Sequence, residues 1–158
     1  MPDFKYAENE AGFLYSKVRA YADVARAALT EMFRQTGDEL VYDDQGILQR
    51  GLVIRLLVLP NDLAGVRESL EWIRRELSPR AAISLMAQYY PTHQAAANAR
   101  YALLSRRISE REWWRAVEAL EELDMEEGWM QEYDGAAHYY RPDFTNAETP
   151  FKDMRDLL

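Results

Sequence analysis

The sequence predicts an α/β fold built from parallel βα units. Two observations carry that expectation. The most apolar run in the chain, Gly51 to Asp62 (GLVIRLLVLPND), is short, rich in Leu, Val and Ile, and closed by Pro60-Asn61-Asp62. That is the pattern of a strand buried on both faces, as in parallel sheets covered by helices. A second apolar run, Ala82 to Ala87 (AISLMA), follows after one helix-length interval. Strands alternating with helices of this length define parallel units joined by crossovers. The central run also carries one charge, Arg55, and a buried charge needs a partner because desolvating it alone is costly.

Residues 1–6, MPDFKY, read as the end of a strand running into a polar loop, AENEAG. A helix is expected from Tyr15 or Arg19 to Gln35, with Tyr21, Val24, Ala25, Ala28, Leu29, Met32 and Phe33 on one stripe. Gly37 stands where a C-terminal glycine belongs. Residues 38–50 are polar, with an Asp43-Asp44-Gln45-Gly46 turn. After the central strand, Asn61 or Asp62 is placed to cap a helix from Leu63 to Leu77, which Ser78-Pro79 stops. Residues 92–107 are ambiguous. Ser109 and Glu112 form a capping box that opens a helix to Asp124, with Trp113 and Trp114 expected in core and groove packing. Gly128 breaks it, and Trp129-Met130-Gln131 reads as a short extended piece. Residues 134–158 are expected to be mostly loop.

Two main strands and a stub leave both sheet edges open, so the chain reads as part of a larger sheet or barrel. The 158 residues suffice for one domain with a core, and 48% are apolar, which excludes a disordered chain. Nineteen basic residues against 27 acidic give a net charge of −8, which argues against nonspecific nucleic-acid binding and anionic membranes. There is no cysteine, hence no thiolate nucleophile and no cysteine-ligated metal or cluster from this chain. No run is long enough to span a membrane, and MPDFKY has no secretory pattern, so a cytoplasmic protein is expected.

In βα architectures the chemistry gathers at the C-terminal ends of strands. Three such ends are present: Asp3-Phe4-Lys5, Leu59-Pro60-Asn61-Asp62 and Gln88-Tyr89-Tyr90-Pro91. Alternation places Val53, Arg55, Leu57 and Leu59 on one face and Leu52, Ile54, Leu56 and Val58 on the other. An acid, a lysine, an arginine and a glutamine converging there suit a zwitterionic or carboxylate-bearing ligand. Each also has a plainer reading: Arg55 paired with an acid, Asp3 and Lys5 in a solvated loop, Gln88 a satisfied buried amide. His93 and His138 have no ligand-like spacing and read as surface residues.

PDFKY, GLVIRLLVLPNDLAG, ELSP, SLMAQYYP, LSRRIS and GWMQE, in this order over residues 2–133, resemble the C-terminal half of a radical S-adenosylmethionine (SAM) protein. The group resembled is that of the pyruvate formate-lyase activating enzyme and its relatives. The resemblance implies a partial, half TIM-like barrel over 1–133 starting at the end of strand four. It implies SAM and a [4Fe–4S] cluster in the complete protein, with hydrogen abstraction by an adenosyl radical. Asp3 and Lys5 match the family's D-x-K motif, Arg55 its strand-five arginine, and Gln88-Tyr89 the end of strand six; the resemblance makes all five SAM-binding. The CxxxCxxC motif is absent, and Leu56 stands where members often carry His. The chain is therefore expected not to be catalytically competent or to bind SAM tightly alone. Partners implied are a complementary N-terminal half-barrel, a second copy, or a glycyl radical enzyme. The alternative is a non-catalytic interaction protein or vestigial half-barrel.

Overall fold

The computed structural model describes residues 1–133. The expected loop at 134–158, and His138 with it, lie outside the described residues. The chain begins with an extended segment whose Asp3 makes a parallel bridge to Arg55. Helices α1 (Asn9–Ser16) and α2 (Tyr21–Thr36) follow. A hairpin of β1 (Val41–Tyr42) and β2 (Leu48–Arg50) leads to β3 (Val53–Leu57). Then come α3 (Val66–Glu76), β4 (Ala82–Met86), α4 (Gln94–Ala97), α5 (Glu110–Glu122) and β5 (Gly128–Met130).

The main sheet is parallel, in the order β3-β4-β5, and the Asp3 bridge adds the N-terminal segment beside β3. Spatial order thus follows chain order. The expectation of two main strands and a stub is exceeded by one strand, because Gly128–Met130 pairs fully with β4. The sheet is open: among the described residues nothing pairs beyond β5 or ahead of Asp3.

One face carries the core. Ile54, Leu56 and Val58 of the β3 segment and Ile83, Leu85 and Ala87 of the β4 segment join a single cluster with Leu29, Leu70, Ile73, Trp113 and Val117 of the helices. Val53, Ala82 and Met86 are buried too but lie outside that cluster, on the opposite face. That opposite face is not fully covered. Arg55 and Leu57 are only half-buried, which corrects the expectation of a strand buried on both sides.

Other departures have local causes. The segment expected as a polar loop is helix α1. Its Gly12 lets α2 approach: a β-carbon there would lie 2.4 Å from Tyr21 Cβ. Asn9 Oδ1 accepts from the Ala22 and Asp23 amides, capping α2, whose own N-cap residue, Ala20, supplies no side-chain bond. The buried face of α2 is centred on Ala22 and Leu29, so Val24 and Met32 of the expected stripe are exposed. In the polar stretch, Asp43 Oδ1 accepts from the Gln45 and Ile47 amides and so turns the β1–β2 hairpin. Neither Asn61 nor Asp62 caps α3; Gly65, in the left-handed conformation, occupies that position. The Ser109–Glu112 capping box forms as expected. Trp113 is core, whereas Trp114 is half-exposed, its indole N–H on Glu110.

Gly128 is where β5 meets β4. Its φ is 117°, and a β-carbon would fall 2.0 Å from the Ile83 carbonyl oxygen. Gly128→Ala is expected to detach β5 and destabilise the protein by about 1–3 kcal/mol. Chemical denaturation measures this as a lower midpoint; an unchanged midpoint would refute the close approach.

Candidate ligand-binding site

The site is built from one cross-strand row. Asp3 pairs with Arg55, Arg55 with Ser84, and Ser84 with Trp129. In-register parallel neighbours point to the same side of the sheet. The row lies on the face opposite the helices. Backbone bonds fix its first step: the Arg55 amide donates to Pro2 O at 2.9 Å, and the Phe4 amide donates to Arg55 O at 3.0 Å. Side chains repeat the pairing, with Arg55 Nε donating to Asp3 Oδ1 at 2.5 Å. Lys5 Nζ stands 3.9 Å from Asp3 Oδ2. The structure therefore brings together three of the five expected site residues, two cations around one carboxylate. The Arg55 and Lys5 side chains are 39% and 52% exposed.

Tyr21 of α2 holds this end in place, and nothing in its sequence position marked it for that role. Its hydroxyl accepts from the Lys5 amide at 2.8 Å and donates to Asp3 O at 3.4 Å. Burial pushes its phenol above the usual range.

Gln88 and Tyr89 are placed elsewhere. Gln88 Oε1 accepts from Gln131 Nε2 at 2.9 Å, and Gln131 Oε1 accepts from the Ala87 amide. Gln88 itself is half-buried, and its Nε2 has no hydrogen bond to another described residue. The Tyr89 hydroxyl donates to Leu104 O at 2.6 Å, its phenol pushed up by burial and then by the nearby Tyr6. Among the described residues no hydrogen bond or ion pair joins Gln88 or Tyr89 to Asp3, Lys5 or Arg55. His93 is exposed ahead of α4, as expected of a surface residue.

The loop after β3 is tied to α5. Glu112 Oε1 accepts from the Asn61 amide, Asn61 Nδ2 donates to Leu103 O, and Arg106 donates to both Asn61 Oδ1 and the Glu112 carboxylate. Arg106, followed by the Ser109 and Asn61 amides, holds the Glu112 carboxyl far below the usual range. On the helix side, Asp62, Arg67, Glu68, Glu112 and Arg115 line a cavity of about 180 Å³. Burial, then the Glu68 charge, pushes the Asp62 carboxyl up. Among the described residues, no group of three or more His, Asp or Glu is arranged to hold a metal ion, and no helix is long and apolar enough to cross a membrane.

Comparison with known proteins adds little chemistry. No family model matches the chain, and no solved structure matches it. An uncharacterized protein of Methanocaldococcus jannaschii is 28% identical over 127 residues, covering 80% of this chain and 32% of that protein. The chain thus spans about a third of the length of the curated relative that it matches.

Two outcomes are expected. Tyr21→Phe removes a bridging hydroxyl and costs about 1 kcal/mol; amide exchange at Lys5 speeds up, and unchanged protection there would deny Tyr21 the role. Glu112 titrates lower in the folded than in the unfolded chain, so its stabilisation is present above the usual carboxyl value of 4.5 and is lost as pH falls below it. Asp62 works in the opposite sense: its contribution is present at low pH and lost as pH rises through its raised value. Glu112→Gln should flatten the acid side of the stability–pH curve, measured by denaturation at stepped pH.

Proposed function

We propose that this chain is the SAM-positioning half of a radical SAM activase-like α/β barrel protein. The observation that carries the reading is the convergence of Asp3, Lys5 and Arg55 on the uncovered face of a parallel sheet whose strands follow chain order. That order, with helices on one face, is what a segment of a barrel wall has; the uncovered face is then the barrel interior. The site belongs to residues matching the family's D-x-K motif and strand-five arginine.

The residues fit the amino-acid end of SAM. Arg55 spends only Nε on Asp3, and its Nη groups have no hydrogen bond to another described residue. They present a fork for a carboxylate. Lys5 adds a second positive charge; its Nζ pairs with Asp3 Oδ2 at 3.9 Å, beyond hydrogen-bond reach, so that oxygen can still accept from an ammonium. Gln88 and Tyr89, in the resembling positions, stand at the end of the neighbouring strand. The residues do not fit a [4Fe–4S] cluster, since the chain has no cysteine. Cluster ligands would come from another segment or subunit. Together with a cluster, SAM supplies hydrogen-atom abstraction; this chain's part is to bind and orient its amino-acid end. A complementary half-barrel, and a glycyl radical enzyme as substrate, are the partners in this reading, and the cytoplasm its compartment.

A second reading has its own observation. All three residues of the edge strand β5 are exposed, Trp129 and Met130 among them. An open edge with large apolar side chains suits a non-catalytic interaction protein that pairs with a second copy or a complementary subunit.

Calorimetric titration with SAM tests the first reading. Weak binding is expected, lost in Arg55→Ala; binding that survives Arg55→Ala overturns it. Light scattering after size-exclusion tests the second: a stable monomer at micromolar concentration counts against it.

A further inference from the structure

We propose that Ser84 and Trp129 belong to the same site, so that the row Asp3–Arg55–Ser84–Trp129 recognises an α-amino acid end along its length. The ammonium sits at Asp3, the carboxylate between Arg55 and Ser84, and the ligand's side chain against the Trp129 indole. This rests on the inner-face reading given above and adds two residues that neither the resemblance nor the sequence pattern assigns.

Ser84 is the telling residue. It is 5% exposed, yet its hydroxyl forms no hydrogen bond with any other described residue. The oxygen is not sealed in the core but reaches the open face, where it is available to bond a ligand. Its neighbours on the same strand and face, Ala82 and Met86, are apolar and buried, so they offer it no bond. Across the row, the in-register neighbours of Ser84 are two large side chains, Arg55 and Trp129, both half-exposed. Ser84 is thus a small residue between two long ones, and the row carries three donors: the Arg55 Nη groups, the Ser84 hydroxyl and the Trp129 Nε1–H, which has no partner among the described residues.

The order of charges along the row selects the ligand. Adjacent strands lie about 4.8 Å apart. Asp3 offers a negative oxygen one strand away from the Arg55 fork, and the Ser84 hydroxyl lies one strand beyond. Ammonium and carboxylate separated by a single carbon match that alternation. A phosphate would meet the donors but face the Asp3 carboxylate, and a simple carboxylate would leave Asp3 Oδ2 unused. The row therefore prefers a zwitterionic amino acid to either.

The test uses the full chain labelled with ¹⁵N, with L-methionine as probe and its methyl ester as control. The four tryptophans each give an indole N–H signal, and Trp129→Phe identifies that of Trp129. L-Methionine is expected to shift the Trp129 indole signal together with the Asp3 and Arg55 amides, and the ester to leave them nearly unmoved. Ser84→Ala should weaken methionine binding about tenfold, the loss of one hydrogen bond to a charged group, and Ser84→Thr should retain it. If methionine shifts Asp3 and Arg55 but not Trp129, and Ser84→Ala binds equally well, the extended row is wrong while the inner-face reading stands. If methionine shifts none of these signals, both fall.

Discussion

The first bridge of the sheet, between the N-terminal segment and Arg55, is the constraint on which the site depends. It contains a single paired residue, so backbone hydrogen bonds alone give it little strength. The Asp3–Arg55 ion pair is partly exposed, and such pairs contribute about 0–1 kcal/mol. Phe4 contributes more. It is 2% exposed and packs edge-on against Trp72 of α3, with ring centroids 5.9 Å apart. Burying a side chain of that size is worth about 1.5–3 kcal/mol. Arg26 lies over the other partner of this contact, with its guanidinium carbon 5.7 Å from the Trp72 ring centre. Hydrophobic burial on the helix side therefore decides where Asp3 and Lys5 sit on the opposite side. The alternation of a strand converts packing behind the sheet into charge placement in front of it.

The two faces of the sheet follow different rules. Behind it, aliphatic residues of β3 and β4 interlock with α3 and α5. In front, β3 and β4 mix buried apolar positions with polar ones: Val53 with Arg55, and Ala82 with Ser84. The front face is thus more polar than the packed one.

Much of the fold was legible because its signals are local. The strands at Val53 and Ala82, the α5 capping box and the Gly37 stop are all decided by residues within a few positions of one another. Gly128, expected to break the helix, instead opens β5, since α5 already ends at Glu122. What depended on distant partners was not legible. Arg55 finds its acid 52 positions away, so composition alone left pairing and ligand binding equally open. Asn9 looks like a loop residue until Ala22 is beside it. Asn61 looks like a cap, but its side chain is taken by Leu103 and Arg106. The α2 stripe is apolar around more than half of the helix, so periodicity could not choose which part faces inward. Ser84 lies in a wholly buried, mostly apolar strand, and only the register with Arg55 and Trp129 gives its face meaning.

The capping of α2 by Asn9 has a further consequence. Helix α1 has eight residues, well short of the roughly 12–15 needed for an isolated helix to persist in water. Helix α2 is longer, but its first turn is completed by a side chain from α1 rather than by its own N-cap. Each helix thus lacks something that only the other supplies, and Gly12 permits the close crossing that makes the exchange possible. The pair forms or melts as one cooperative unit. Since Tyr21 opens α2 and its hydroxyl bonds to both Asp3 and Lys5, the order of the charged row is thermodynamically linked to that helical pair.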